Sequence, residues 1–97
     1  FSPTDLCATS LGACGSTIMN MFAHNAGIPV ARIAYAVEKE MSANPRRIGR
    51  LVVRYEIATD CSEQDFQKIV TAGRTCPLRH SIHPDIVLEE TYERVAP

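Results

Sequence analysis

SPTDLCATSLGACGSTIMNMFAHN, residues 2–25, is the stretch around which the rest of the chain has to be arranged. Ser2 suits an N-cap and Pro3 the first helical position. Asp5 stands three residues past the cap, a variant of the capping box. From Leu6 to Val30 there is no Asp, Glu, Lys or Arg, and Gly27 supplies a stop. The apolar residues Leu6, Leu11, Ile18, Met19, Met21 and Phe22 go most of the way round, as in a helix buried on all sides or spanning a membrane. Thr9, Ser10, Ser16, Thr17 and Asn20, two glycines, and the lack of flanking Lys/Arg or an aromatic belt read against a span. The expectation is a central helix wrapped by other elements. Gly12, Ala13 and Gly15 cost helix propensity, roughly 1 kcal/mol per Gly, so something packs closely there. Cys14 sits among them.

With 97 residues the chain is expected to form a single domain, 1–97. A net charge of −1 gives no electrostatic reason to expect nucleic acid or an anionic membrane as partner. The chain begins at Phe1, almost immediately before the helix, so an N-terminal segment is expected to be missing. Four cysteines could suggest a secreted disulfide framework. Cys7 and Cys14, however, lie two turns apart on one helix, about 10 Å along its axis, beyond disulfide reach. A cytoplasmic protein with free thiols fits better.

After Ile28-Pro29, Val30 to Met41 alternates with Ala31, Ile33, Tyr35 and Val37 on one face. Arg50 to Ala58 alternates again, with Leu51, Val53, Tyr55 and Ile57 inside. Two strands around the turn Ser42-Ala43-Asn44-Pro45 make a hairpin. Ser62 with Asp65 repeats the cap signature, and Phe66, Ile69, Val70 and Gly73 predict an amphipathic helix. A short helical turn is predicted from Cys76-Pro77 to Ile82, then a last strand over Ile86 to Val95 with a mostly acidic exposed face. The order is an α+β pattern with a mainly antiparallel sheet.

Cys76 is placed before Pro77 at a helix start, where unpaired N–H groups and the dipole favour thiolate. Cys14 alone reads as a small core residue. If the Cys76 turn approached it, the two would make a peroxidatic and resolving pair. Cys7 reads as core and Cys61 as an inert or partly exposed thiol. Cys76, His80 and His83 could share a metal, but no tight C-x-x-C pair supports zinc. His24 suits a helix C-terminus. Arg46, Arg47, Arg50 and Arg54 read as a solvated surface.

SPTDLCATSLGACGS followed by NPRRIGRL and RTCPLRHSIHPDI resembles the OsmC/Ohr family, named for osmotically inducible protein C and organic hydroperoxide resistance protein. The resemblance covers nearly the whole chain. It implies an OsmC-like α+β fold, a long buried helix on a sheet, and an intertwined homodimer. It also implies a cytoplasmic, antioxidant, thiol-dependent peroxidase for organic hydroperoxides, with no metal or organic cofactor, re-reduced by a dithiol. By position Cys14 matches the family's peroxidatic cysteine and Cys76 its resolving one. The chain departs from the pattern at Thr4, where active members carry a Glu that holds an Arg over the thiolate. By the resemblance, that Arg is expected to come from an N-terminal region lying before the residues read here. The competing expectation is a non-catalytic member that binds a small hydrophobic ligand in the cleft beside the helix.

Overall fold

The computed structural model describes residues 2–97. A 24-residue helix, α1 (Pro3–Ala26), leads into the hairpin strands β1 (Arg32–Ser42) and β2 (Arg47–Ala58). Helix α2 (Glu63–Gly73) and strand β3 (Val87–Val95) follow. Both helices start as their sequences predict. The Ser2 and Ser62 hydroxyls accept from the backbone N–H groups of Asp5 and Asp65, each cap worth about 1 kcal/mol. Gly27 ends α1 at φ 70°, a left-handed conformation that costs glycine little. The hairpin loop turns at Asn44 (φ 61°) and Pro45, with a cis peptide between them.

The sheet order is β1-β2-β3, with β1 antiparallel to β2 and β3 parallel to it. The expected mainly antiparallel sheet is therefore mixed. The physical reason lies in the connection: β3 returns to β2 across α2 and a long loop. A crossover of that length joins parallel neighbours, as an antiparallel pair can be closed by a two-residue turn. The four arginines do form a solvated surface in part. Arg50 pairs with Glu40 and Glu89 across both neighbours, and Arg54 pairs with Glu38.

Three tyrosines stand in register across the sheet, Tyr35 opposite Tyr55 opposite Tyr92. Tyr55 and Tyr92 stack with centroids 5.0 Å apart, and Tyr35 tilts against Tyr55 at 6.5 Å. This row of rings explains the glycines. Tyr35 fills the place of a side chain at Gly12, the Tyr55 hydroxyl that of Gly15, and Tyr92 with Met19 crowds Gly73. The rings take the contact area that helical side chains would otherwise supply, and burying each contributes more than an aliphatic residue. Leu11, Met19, Leu51, Val53, Ile57 and Ile69 complete the core, at roughly 1.5–3 kcal/mol each.

Helix α1 is long and apolar enough to cross a membrane by length and composition alone. Here it lies against the sheet and α2 through a single stripe, Ala8, Leu11, Gly12, Gly15, Met19 and Ala23. That corrects the expectation of a helix wrapped on all sides, because Leu6 and Met21 on other faces are 55% and 57% exposed. Hydrophobic content around a helix does not say how many of its sides one chain can cover. Cys7, expected in the core, is likewise exposed. Tyr35 sits at the half-covered edge strand and is 37% exposed rather than inside.

Candidate active site

Cys14 lies mid-helix, one position before the glycine that admits Tyr55, so its side chain projects beside the tyrosine row. Cys76 is brought there by the connection between α2 and β3. The predicted helical turn at Cys76 is instead a run of tight turns. Arg79, His80 and Ser81 donate their N–H groups to the carbonyls three residues before them, Cys76, Pro77 and Leu78. Too few residues separate Cys76 from His83-Pro84 for an α-helix to form. Without a helix there is no macrodipole to favour the thiolate.

Cys76 is 2% exposed. Burial pushes its thiol up from the ordinary value of 9.0, and a hydrogen bond with the Cys14 side chain pushes it further. The backbone N–H groups of Arg79 and Leu78 pull the other way without reversing the result. Cys76 therefore keeps its proton at neutral pH, with Cys14 beside it. The two thiols meet, but with the opposite electrostatics at Cys76 from those the sequence implied. All four cysteines are free thiols.

Around the pair runs a polar network that the sequence reading missed. Arg79 Nε donates to Glu90 at 2.7 Å, and the Tyr92 hydroxyl donates to the other Glu90 oxygen at 3.2 Å. The Glu90 side chain is only 7% exposed. Arg74 lies over the Tyr92 ring at 5.4 Å. The Tyr55 hydroxyl donates to the Leu11 carbonyl at 3.4 Å. Burial raises Tyr55 well above its ordinary value, with Tyr92 adding to it. Tyr92 is raised likewise by burial and then by Glu90. Glu90 pins Arg79 firmly in its charged form. The signal for Glu90 was present in the alternation: Leu88, Glu90 and Tyr92 share the inward face of β3.

The remaining candidates lie elsewhere. Asp5, next to Thr4, pairs with Lys39 at 2.6 Å, and that bond lowers its carboxyl below the usual range. It therefore serves the helix start and β1 rather than a thiol. His80 and His83 are exposed turn residues. Among the described residues no three His, Cys, Asp or Glu side chains gather as a metal site requires. A groove of about 540 Å³ runs between the helices past Phe22, Gln67, Lys68, Thr71, Ala72 and Thr75. A second, of about 630 Å³, passes Cys7, Arg47 and His83. Neither is lined by Cys14 or Cys76.

Comparison with known proteins gives one family. The sequence pattern described as OsmC-like protein matches residues 1–91. No curated protein matches the chain. A crystal structure from Psychrobacter arcticus 273-4, assigned to osmotic stress induction and the detoxification response, is 34% identical. It superposes with a TM-score of 0.87 over 96% of this chain and 68% of its own. An OsmC-like protein from Mycoplasma pneumoniae shares the fold at 20% identity, TM-score 0.84, covering 98% of this chain and 72% of that one. So does an organic hydroperoxide resistance protein from Legionella pneumophila, at 17% identity and TM-score 0.78, over 95% and 69%.

Proposed function

This chain belongs to the OsmC-like protein family, and from that premise we propose that it is a thiol-dependent peroxidase for organic hydroperoxides. The observation that supports the proposal is that Cys14 and Cys76, far apart in sequence, pack on the same core, near enough for Cys14 to raise the Cys76 thiol. Cys14 is the attacking sulfur and Cys76, the more deeply buried of the two, is the resolving one. The Cys14 thiolate attacks the terminal peroxide oxygen, the O–O bond breaks, and the alkoxide leaves as the alcohol after taking up a proton. The Cys14 sulfenic acid then condenses with the Cys76 thiol, forming the S–S bond and releasing water. A dithiol partner restores both thiols by exchange. Proximity supports the second step, because a sulfenic acid on half-buried Cys14 has the buried Cys76 thiol beside it.

The test is a thiol count before and after one equivalent of cumene hydroperoxide. The expected result is a loss of two thiols per chain, mapped to Cys14 and Cys76. Cys14→Ser should lose none by this route. Cys76→Ser should instead give a sulfenic acid that dimedone traps. An unchanged count in the parent protein removes the peroxidase reading.

The working unit is proposed to be a homodimer in the cytoplasm. Support comes from the uncovered side of α1, where Leu6 and Met21 would otherwise face water. Sedimentation should give twice the chain mass, and Leu6→Glu with Met21→Glu should give one. A second reading, binding of a small hydrophobic ligand, is favoured by the largely apolar groove between α1 and α2. In that case a fatty-acid probe displaced by Phe22→Glu would bind while the thiol count stayed constant.

A further inference from the structure

The connection from Arg74 to Ile86 carries Cys76 but has few anchors. Its backbone hydrogen bonds are local, each closing a turn within the connection or onto the end of α2. Cys76, Leu78 and Ile86 pack on the core as apolar contacts, and Arg74 lies over the Tyr92 ring. Among the described residues, its one hydrogen bond or ion pair to the sheet is Arg79 to Glu90. That pair stands three residues from the thiol, and the Arg79 N–H also closes the turn by donating to the Cys76 carbonyl at 3.1 Å. Glu90 in turn is held by Tyr92, which stacks on Tyr55, which rests against the helix beside Cys14. A continuous chain of contacts thus runs from one cysteine to the other through the sheet.

We propose that Arg79, anchored on the buried carboxylate of Glu90, is a positioning residue that holds the Cys76 turn against α1 and so sets how readily the Cys14–Cys76 disulfide forms. The inference rests on the thiol pairing proposed above but not on peroxide as the oxidant. A buried carboxylate with one cationic partner has strong directional preference, since leaving it unpaired is costly. The Nε donor at 2.7 Å fixes the guanidinium in direction as well as distance. Apolar contacts alone would leave the turn free to slide, and effective concentration between two thiols falls quickly with such freedom.

The test uses the full chain and glutathione, so that it does not depend on the hydroperoxide reaction. Oxidised glutathione takes two electrons and two hydrogens from the thiols. Its S–S bond is replaced by that of Cys14–Cys76, and two reduced glutathione molecules are released. The folded dithiol and disulfide are quantified by mass mapping across a series of glutathione ratios. In Arg79→Gln and Glu90→Gln the equilibrium constant for the protein disulfide is expected to fall about tenfold. Arg79→Lys, which keeps a charge but not the planar fork, should stay within about threefold of the parent. A pair that served stability alone would lower the urea midpoint and leave the constant unchanged, and that result overturns the proposal. Should Arg79→Gln fail to fold, Glu90→Gln decides, because a neutral amide needs no countercharge and Arg79 can turn to solvent. Absence of any Cys14–Cys76 disulfide in the parent protein at every ratio overturns it too. A normal glutathione equilibrium with no thiol loss to cumene hydroperoxide would sink the peroxidase reading and leave this one standing.

Discussion

The unfolding free energy is expected to fall above about pH 9, and more steeply above about pH 10. Three acids with raised pKa values are responsible. Cys76 is raised from 9.0, and Tyr55 and Tyr92 from 10.0, each chiefly by burial. In the unfolded chain they release their protons at the ordinary values, while in the folded protein they retain them. Between the two values the unfolded state binds fewer protons, so stability drops as pH rises. It is fully present below about pH 9 and lost on the way up through the folded values. Each retained proton contributes a slope of up to about 1.4 kcal/mol per pH unit. Above pH 10 the two tyrosines together approach roughly 2.7 kcal/mol per unit, less some relief for the partly exposed Tyr92, and Cys76 adds to the fall from about pH 9. For a domain with about 5–15 kcal/mol in hand, that is a large share of its stability. Urea melts at stepped pH should show the fall, and Tyr92→Phe should visibly flatten its upper part. A midpoint that stays level to pH 11 would mean that these hydroxyls and the thiol are not shielded from water.

The second large effect concerns Gly15. A Cβ there would collide with the Tyr55 hydroxyl, and the ring carbon beneath it would be only 2.8 Å away. Tyr55 has nowhere to go, being stacked on Tyr92, tilted against Tyr35 and 2% exposed. Overpacking of so fixed a group costs about 3 kcal/mol, the top of the usual range. Alanine's better helix propensity returns about 1. Gly15→Ala should therefore lose about 2 kcal/mol, a fall in Tm of roughly 8–16 °C for a domain of this size. Tyr55→Phe removes the colliding atom, so the double substitution Gly15→Ala with Tyr55→Phe should regain more than half the loss. Additive losses in that cycle would show that the helix and the ring do not meet. Because Cys14 is the next residue, the single variant should also slow Cys14–Cys76 disulfide formation.

Much of the fold was legible because its elements are bounded by local chemistry. Ser2 and Ser62 cap the helices that follow them, Gly27 stops the first, and period-two alternation marks Leu51, Val53, Tyr55 and Ile57 as an inward face. The small residues around Cys14 announced a close approach before its partner was known. These signals act over a few residues, where sequence neighbours are also spatial neighbours, so reading them needs no tertiary information.

What only the tertiary structure decided is who meets whom. The row of tyrosines that fills the glycine notches depends on register across three strands, one of them parallel. The meeting of Cys14 with Cys76 depends on a crossover that folds the distal turn back onto the first helix. The raised Cys76 thiol reverses the sequence expectation because burial, a property of the assembled core, outweighs the local N–H groups that sequence could suggest. Glu90 shows the same division: alternation turned it inward, but only packing supplied Arg79 and Tyr92 to satisfy its charge.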